Sequence, residues 1–390
     1  MGLYRAYPPQ FWKLCIACLI FFSSFNMVLP DLPLLLNQIG GKSHTWLIIP
    51  VFSIIALICR PFSGKLCDTI GRVNVMCIGA VVTTLACDFY IFIPIVGFFF
   101  FTRAFHGLCA GFTPTGFTAF ADDVVPLSKR GEAMGIVGIC NNVGNALGWV
   151  LGSECTNMFG IHTMFLIASM LGFISLLMFM TLKEHVIVKE KFSFSMLKIK
   201  KDEIFETRVW EPGIVMLLVV FSSGAVLALI SDFTIHVGLK NKGIFMAIYI
   251  GSSLFIRFLA GRWSDRYGRK WVAGIGAFLL AISMFGLAAT QGIWMYTISS
   301  VFFGVGFGLL SPSLFAWAVD LAEEGKKGKA IGTLFLYLEG GVILGASICG
   351  LLYNNNVANF QPAFIICGLL ALAGTFFIVL TARLKILKSK

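Results

Sequence analysis

Twelve apolar runs follow one another along this chain, near 11–34, 46–66, 74–93, 97–120, 133–155, 160–182, 210–235, 243–262, 271–290, 294–318, 330–352 and 360–382. Each approaches the ~20 residues that a helix needs to cross a hydrocarbon core of about 30 Å. Hydrocarbon offers no water to pair with backbone N–H and C=O groups, so each run must satisfy its own, and a helix does that. A soluble chain of 390 residues needs roughly a quarter of them charged, and here only 13% are, against 58% hydrophobic. Mean hydropathy is +0.88. The expected fold is therefore an all-α membrane protein of twelve transmembrane helices.

The first run lacks a small-residue cleavage site after it, so a removed signal peptide is not expected. Ala6 stands where a myristoylation signal needs Ser or Thr. The 11 cysteines are scattered through apolar runs, and the single C-x-x-C (Cys15, Cys18) has neither a second pair nor a nearby histidine. It reads as buried free thiols, and no cofactor or metal is expected.

The net charge of +11 finds its explanation in where the basic residues fall. Of 30 lysines and arginines, twenty-four lie in the tails and in one alternate set of loops. The opposite loops hold only Lys42, Lys240 and Lys242, and Arg60, Arg103 and Arg257 lie inside spans. Basic loops stay in the cytoplasm, so both termini and the polar stretch 183–208 are expected there, in a multi-pass protein of the cell (inner) membrane. No nucleic-acid partner is needed to account for the charge. The 183–208 stretch reads either as a short amphipathic helix on the anionic leaflet or as a solvated linker between two six-helix halves, 1–182 and 209–390.

Those halves repeat. Asp68 and Asp265 are 197 residues apart, within GKLCDTIGR and GRWSDRYGR. The same offset pairs Arg60 with Arg257, Gly107 with Gly304, Gly111 with Gly308 and Asp123 with Asp320. It also pairs Gly131 with Gly328, Gly135 with Gly332, Gly144 with Gly341 and Gly148 with Gly345. Each copy starts with a span running from inside to outside, so the halves are parallel repeats about an axis along the membrane normal. Such repeats place a substrate cavity near the midplane and expose it to each side in turn.

The loop after the second span of each half reads G-x-x-x-D-x-x-G-R: Gly64, Asp68, Gly71 and Arg72, then Gly261, Asp265, Gly268 and Arg269. The glycines permit a tight turn, and Asp and Arg in one short loop can pair. The first copy resembles the signature A loop of the major facilitator superfamily. That resemblance implies a cytoplasmic latch carried by Asp68 and Arg72, with Arg130 as a partner, formed when the transporter faces outward and broken when it faces inward. Arg103 and Gly107 on the fourth span resemble the family's signature B, whose arginine is implicated in handling protons or substrate. Gly135, Gly144 and Gly148 have the spacing of signature C, which points to exporters working by antiport; Trp149 and Ser153 depart from it, standing where Pro and Gly are expected. Small residues four apart would also simply let helices approach. The resemblance to the superfamily covers nearly the whole chain, and within it the sequence is closest in feel to the drug/proton antiporter-like exporters.

An arginine inside a membrane span costs at least about 2.5–3.5 kcal/mol, so Arg103 should face a cavity or a partner, and His106 shares its side of the helix. Glu339, near the centre of the eleventh span, is the leading candidate for proton coupling. Its counterpart at the 197 offset is Asn142. Each precedes a motif glycine by two residues, about 200° around the helix, and so projects away from the glycine face. The first span carries Asn26 where many proton-driven relatives have an acid, with Asp31 further out. Asp88, Glu154 and Asp232 fall toward outer ends and read as solvated helix ends or an outer vestibule, while Arg60 and Arg257 read as snorkelling residues or as support for the latch.

The expected activity is secondary active transport, with a small-molecule substrate and protons as partners, in the lipid bilayer and as a monomer. Proton-coupled export of small organic or amphiphilic compounds leads; import of a sugar, organic acid or other nutrient is the alternative. The five dispersed histidines form no cluster for an embedded enzyme, and no phosphate-binding loop ending in Lys-Ser/Thr is present for ATP-driven transport.

Overall fold

The computed structural model describes residues 7–126, 129–184, 205–323 and 327–388, which contain helices and no strand. A first unit holds α1 (Pro9–Met27), α2 (Leu32–Gln38), α3 (Ile48–Thr69), α4 (Arg72–Ile91), α5 (Val96–Val124), α6 (Arg130–Phe159) and α7 (Ile161–Met180). A second holds α8 (Trp210–His236), α9 (Ile244–Tyr267), α10 (Arg269–Ala288), α11 (Ile293–Leu321), α12 (Lys327–Tyr353) and α13 (Phe360–Lys388), and takes in the segment Ser43–Pro50, which includes the first three residues of α3, so that α3 counts with the first unit from Val51 onward. The amphipathic piece of the 183–208 stretch lies outside the described residues.

The first apolar run is not one straight helix. Pro30 and Pro33 lack the N–H that would continue the ladder, so α1 ends at Met27, a 3-10 turn covers Leu29–Asp31, and α2 follows. Among the described residues, ten helical stretches are long and apolar enough to cross a membrane. An eleventh, α9, qualifies as a pair bent by 50°. Helix α5 has 29 residues and is not among them, because Arg103 and His106 dilute its apolar run.

The 197-residue offset governs packing as well as sequence. In the first unit α1 packs on α6 and α7, and α4 on α5 and α7; in the second, α8 packs on α12 and α13, and α10 on α11 and α13. The individual contacts repeat too. Gly107 of α5 sits against Phe52 and Ile55 of α3, while Gly304 of α11 sits against Tyr249 and Ser252 of α9. Gly111 meets Ala56 and Cys59; Gly308 meets Ser253 and Ile256. Gly79 meets Thr113, and Gly276 meets Leu310.

Helices α6 and α12 lie against α1 and α8 through the same device. A Cβ on Gly144 would stand 2.6 Å from the Leu19 carbonyl oxygen, and one on Gly148 2.6 Å from that of Ser23. Gly152, one turn further on, closes on the Met27 carbonyl. In the second unit Gly341 and Gly345 close on the carbonyls of Leu217 and Phe221. Gly135 does not belong to this face: a Cβ there meets nothing within 4 Å, and the same holds for its counterpart Gly332. Nine residues separate Gly135 from Gly144, two and a half turns of helix, which sets it on another side of α6.

Gly148→Val should therefore lower stability by the ~1–3 kcal/mol typical of overpacking, read as a lower unfolding temperature of the purified protein in detergent. Gly135→Ala should be neutral or slightly stabilising in the same measurement, since Ala is the better helix former.

Candidate functional site

Two charged turns are built alike. Gly71 (φ +105°) and Gly268 (φ +95°) occupy backbone conformations that favour glycine, and each leads directly into the next helix. The arginine that follows reaches back across the turn and sideways to another helix. Arg72 pairs with Asp68 at 2.9 Å and with Asp123, at the end of α5, at 3.0 Å. Arg269 pairs with Asp265 and, at 3.1 Å, with Asp320 at the end of α11. Arg72 also donates to the Cys67 carbonyl, and Arg269 to the Ser264 hydroxyl. Asp123 and Asp320, matched in sequence only as repeat partners, thus complete both clusters. Arg130 joins neither: it pairs with Asp122 at 2.9 Å, while Asp123 at the adjacent helical position pairs with Arg72. Gly64 and Gly261 lie within α3 and α9, before the turns, and a Cβ on either would meet nothing within 4 Å.

The first unit carries a buried polar group that the second lacks. Arg103 is 1% exposed, and its guanidinium lies 4.3 Å from the centroid of the Phe52 ring, within cation–π range. His106, one turn along, is fully buried and ringed by Phe25, Phe52 and Tyr90 at centroid separations of 5.3, 5.9 and 5.9 Å. Neither imidazole nitrogen has a hydrogen-bond partner among the described residues. Leaving a buried polar group unmatched costs about 1–3 kcal/mol, so this histidine carries a stability cost at its position. Nearby, Asn26 of α1 donates to the Phe22 carbonyl and, at 2.6 Å, to the Asn145 side chain, which in turn donates to Asn141 at 2.9 Å.

At the 197 offset, Arg103, His106 and Tyr90 are replaced by Ser300, Phe303 and Leu287. Ser300 is satisfied by the Tyr296 carbonyl, and Phe303 and Leu287 are ordinary core residues. Along α1 and α8 the offset is 198, as Leu19 and Leu217 show, so Asn26 answers to Gly224, which packs directly on Val342, the counterpart of Asn145. The scaffold closes without these polar groups in its second copy. They are additions to the fold and are not required by it.

Other expected residues are scattered. Asn142 is half-buried and takes no part in the asparagine chain; Asn145, beside Gly144 on the face toward α1, makes the bond to Asn26. The i, i+4 spacing of Asn141 and Asn145 was the available signal. Glu339 is 7% exposed on α12. Asp31 is buried in the turn between α1 and α2. In the second unit a partly buried pair, Lys270 with Glu211 at 2.8 Å, lies against Trp317 and Thr381. Among the described residues, no group of three or more histidines, cysteines or carboxylates is placed to hold a metal ion.

The Major Facilitator Superfamily family model matches residues 14–251 and 213–388. The Staphylopine export protein of Staphylococcus aureus strain Mu50 is 20% identical over 376 residues, covering 93% of each chain. Multidrug resistance protein 2 of Bacillus subtilis strain 168 is 24% identical over 366 residues, 90% of each. In three dimensions the chain resembles the crystal structure of the nucleoside transporter NupG, with a TM-score of 0.78 over 95% of this chain and 98% of that one at 15% identity.

His106→Phe copies the side chain that the second unit uses at the matching position. Packing should tolerate it, with an unchanged or higher unfolding temperature, while transport should fall. Asp68→Asn removes one arm of a surface pair whose carboxylate is 73% exposed, so stability should shift by less than ~1 kcal/mol. Normal transport by this variant, with insertion intact, would show that the cluster has no gating role.

Proposed function

This chain belongs to the Major Facilitator Superfamily, and we propose that it is a twelve-span secondary transporter that expels small organic or amphiphilic compounds in exchange for protons. A multi-pass membrane protein of this superfamily moves solutes by exposing one site alternately to each side. The reading of export rests on two kinds of support. Relatives matching nearly the whole chain are named as an export protein and a resistance protein, and signature-C glycines Gly144 and Gly148 hold α6 on α1.

The observation that carries a transport site is the asymmetry of the repeat. Arg103, His106 and the Asn26–Asn145–Asn141 chain sit in one unit, where the other has Ser, Phe and Gly. In this reading Arg103 and His106 face the solute or the proton in one part of the cycle. Arg103 supplies fixed positive charge in a low-dielectric site, where its interaction with a carboxylate or a polar substrate atom is strong. Aromatic rings at Phe25, Phe52 and Tyr90 give the same site apolar walls. Glu339, a carboxyl within a span, trades a proton between the two sides. The Arg72 and Arg269 clusters hold one conformation until the cycle pulls Asp123 and Asp320 away from them. Both termini lie in the cytoplasm, the protein resides in the cell membrane, and it acts as a monomer.

Everted vesicles energised by respiration, loaded with a ΔpH-sensitive dye and challenged with panels of drugs, sugars and metabolites, test the direction. An exported compound should dissipate the gradient. A compound accumulated together with protons in right-side-out proteoliposomes would instead establish import. Glu339→Gln should flatten the pH dependence of whichever flux is found; an unchanged pH profile would remove Glu339 from the coupling role.

A further inference from the structure

The turn between α9 and α10 bears side chains that the duplicated loop does not need. Within GRWSDRYGRKW the repeated pattern uses Gly261, Asp265, Gly268 and Arg269, and Arg269 is engaged with Asp265 and Asp320. The surplus consists of two exposed arginines, Arg262 and Arg266, and three exposed aromatics, Trp263, Tyr267 and Trp271. At the matching positions the first unit has Lys65, Thr69, Leu66, Ile70 and Asn74: one cation and no aromatic ring. Their counterparts on α3 and α4 show that the turn forms without the collar.

The collar sits at the foot of two exposed apolar stripes. On α10, Trp271, Ile275, Phe278 and Ile282 follow one another at helical spacing and are all exposed. On α9, Phe255, Leu259 and Trp263 do the same. The two helices are neighbours in the second unit. An apolar double stripe that ends in indole and phenol rings and then in guanidinium groups matches a phospholipid in sequence: acyl chains, interfacial glycerol, anionic phosphate. Indole and phenol side chains favour the interfacial level, and guanidinium forks suit phosphate oxygens. The Arg266 guanidinium lies 5.4 Å from the Tyr267 ring centroid, so the ring backs the cation from one side and leaves its N–H groups for a phosphate.

We propose that the α9–α10 turn, with Arg262, Arg266, Trp263, Tyr267 and Trp271, is a binding site for an anionic phospholipid of the cytoplasmic leaflet. The leaflet follows from the topology in the proposed function; the chemistry of the site does not depend on the direction or substrate of transport. Each cation near an anionic surface contributes about 1 kcal/mol, which corresponds to a factor of about five in affinity.

Native mass spectrometry of the full-length protein, titrated with phosphatidylglycerol and with phosphatidylcholine of identical chains, reads this directly. The wild type should bind phosphatidylglycerol more tightly, and Arg262→Gln with Arg266→Gln should weaken it about 25-fold without changing phosphatidylcholine binding. A charge-relocated variant, carrying both changes plus Thr69→Arg and Asn74→Arg in the first unit, keeps the net charge and should remain weakened. Recovery of full preference in that variant would mean general attraction to a basic protein and would overturn the site, as would retained preference in the double variant. Cysteine labelling at position 266 from outside the cell would refute the topology while leaving the measured lipid preference standing, which separates the two failures.

Discussion

Helices in hydrocarbon gain little by hiding apolar surface from one another, since lipid is equally apolar, and they associate where their backbones can come close enough for dense contact. In this chain that closeness is supplied by glycines facing carbonyl oxygens. Gly144 and Gly148 lie on Leu19 and Ser23, Gly341 and Gly345 on Leu217 and Phe221, Gly107 on Phe52, and Gly304 on Tyr249. A methyl group at any of these positions would force two helices apart. The positions of the buried polar groups depend on this spacing, because Asn26 and Asn145 can bond only where α1 and α6 run at glycine distance. The same closeness in the second unit leaves no room for a side chain at Gly224, which presses on Val342.

Much of this architecture can be read from the chain without coordinates, and the reasons are physical. Hydropathy reports helices because lipid permits little else, and the 197-residue offset reports shared packing because duplicated contacts need duplicated glycines. The places where reading fails are those where three dimensions select among equivalent residues. Two adjacent aspartates, Asp122 and Asp123, divide between Arg130 and Arg72, and only the angle around the end of α5 decides which goes where. Asn142 stands out in the sequence as the repeat counterpart of Glu339, set away from the glycine face, and nothing in that pattern singles out Asn145 as the residue that bonds α1. Gly135 shares a motif spacing with Gly144 but not a helix face. The break in the first run was signalled by Pro30 and Pro33, which a hydropathy window averages away.

Comparing the units isolates what a scaffold needs from what has been placed on it. Shared residues make turns and contacts. Unshared ones, the Arg103–His106 group on one side and the aromatic–arginine collar on the other, hold cations where the fold alone would have been content with Ser, Phe, Thr or Leu. A fully buried imidazole with two unmatched nitrogens costs stability in every molecule of the protein, and the second unit shows that a phenyl ring fills the corresponding space.

Helix α9 ends at Tyr267 and α10 begins at Arg269, so Gly268 alone joins them. A one-residue connection has no slack. It cannot absorb a sliding displacement by uncoiling, and any relative movement of the two helices must be taken up as rotation about the few dihedral angles around that glycine. Arg269, the next residue, is tied to Asp320 at the end of α11. The joint therefore behaves as a crank: turning α10 about it swings a charged arm against a third helix, and a force on any one of the three is felt by the other two.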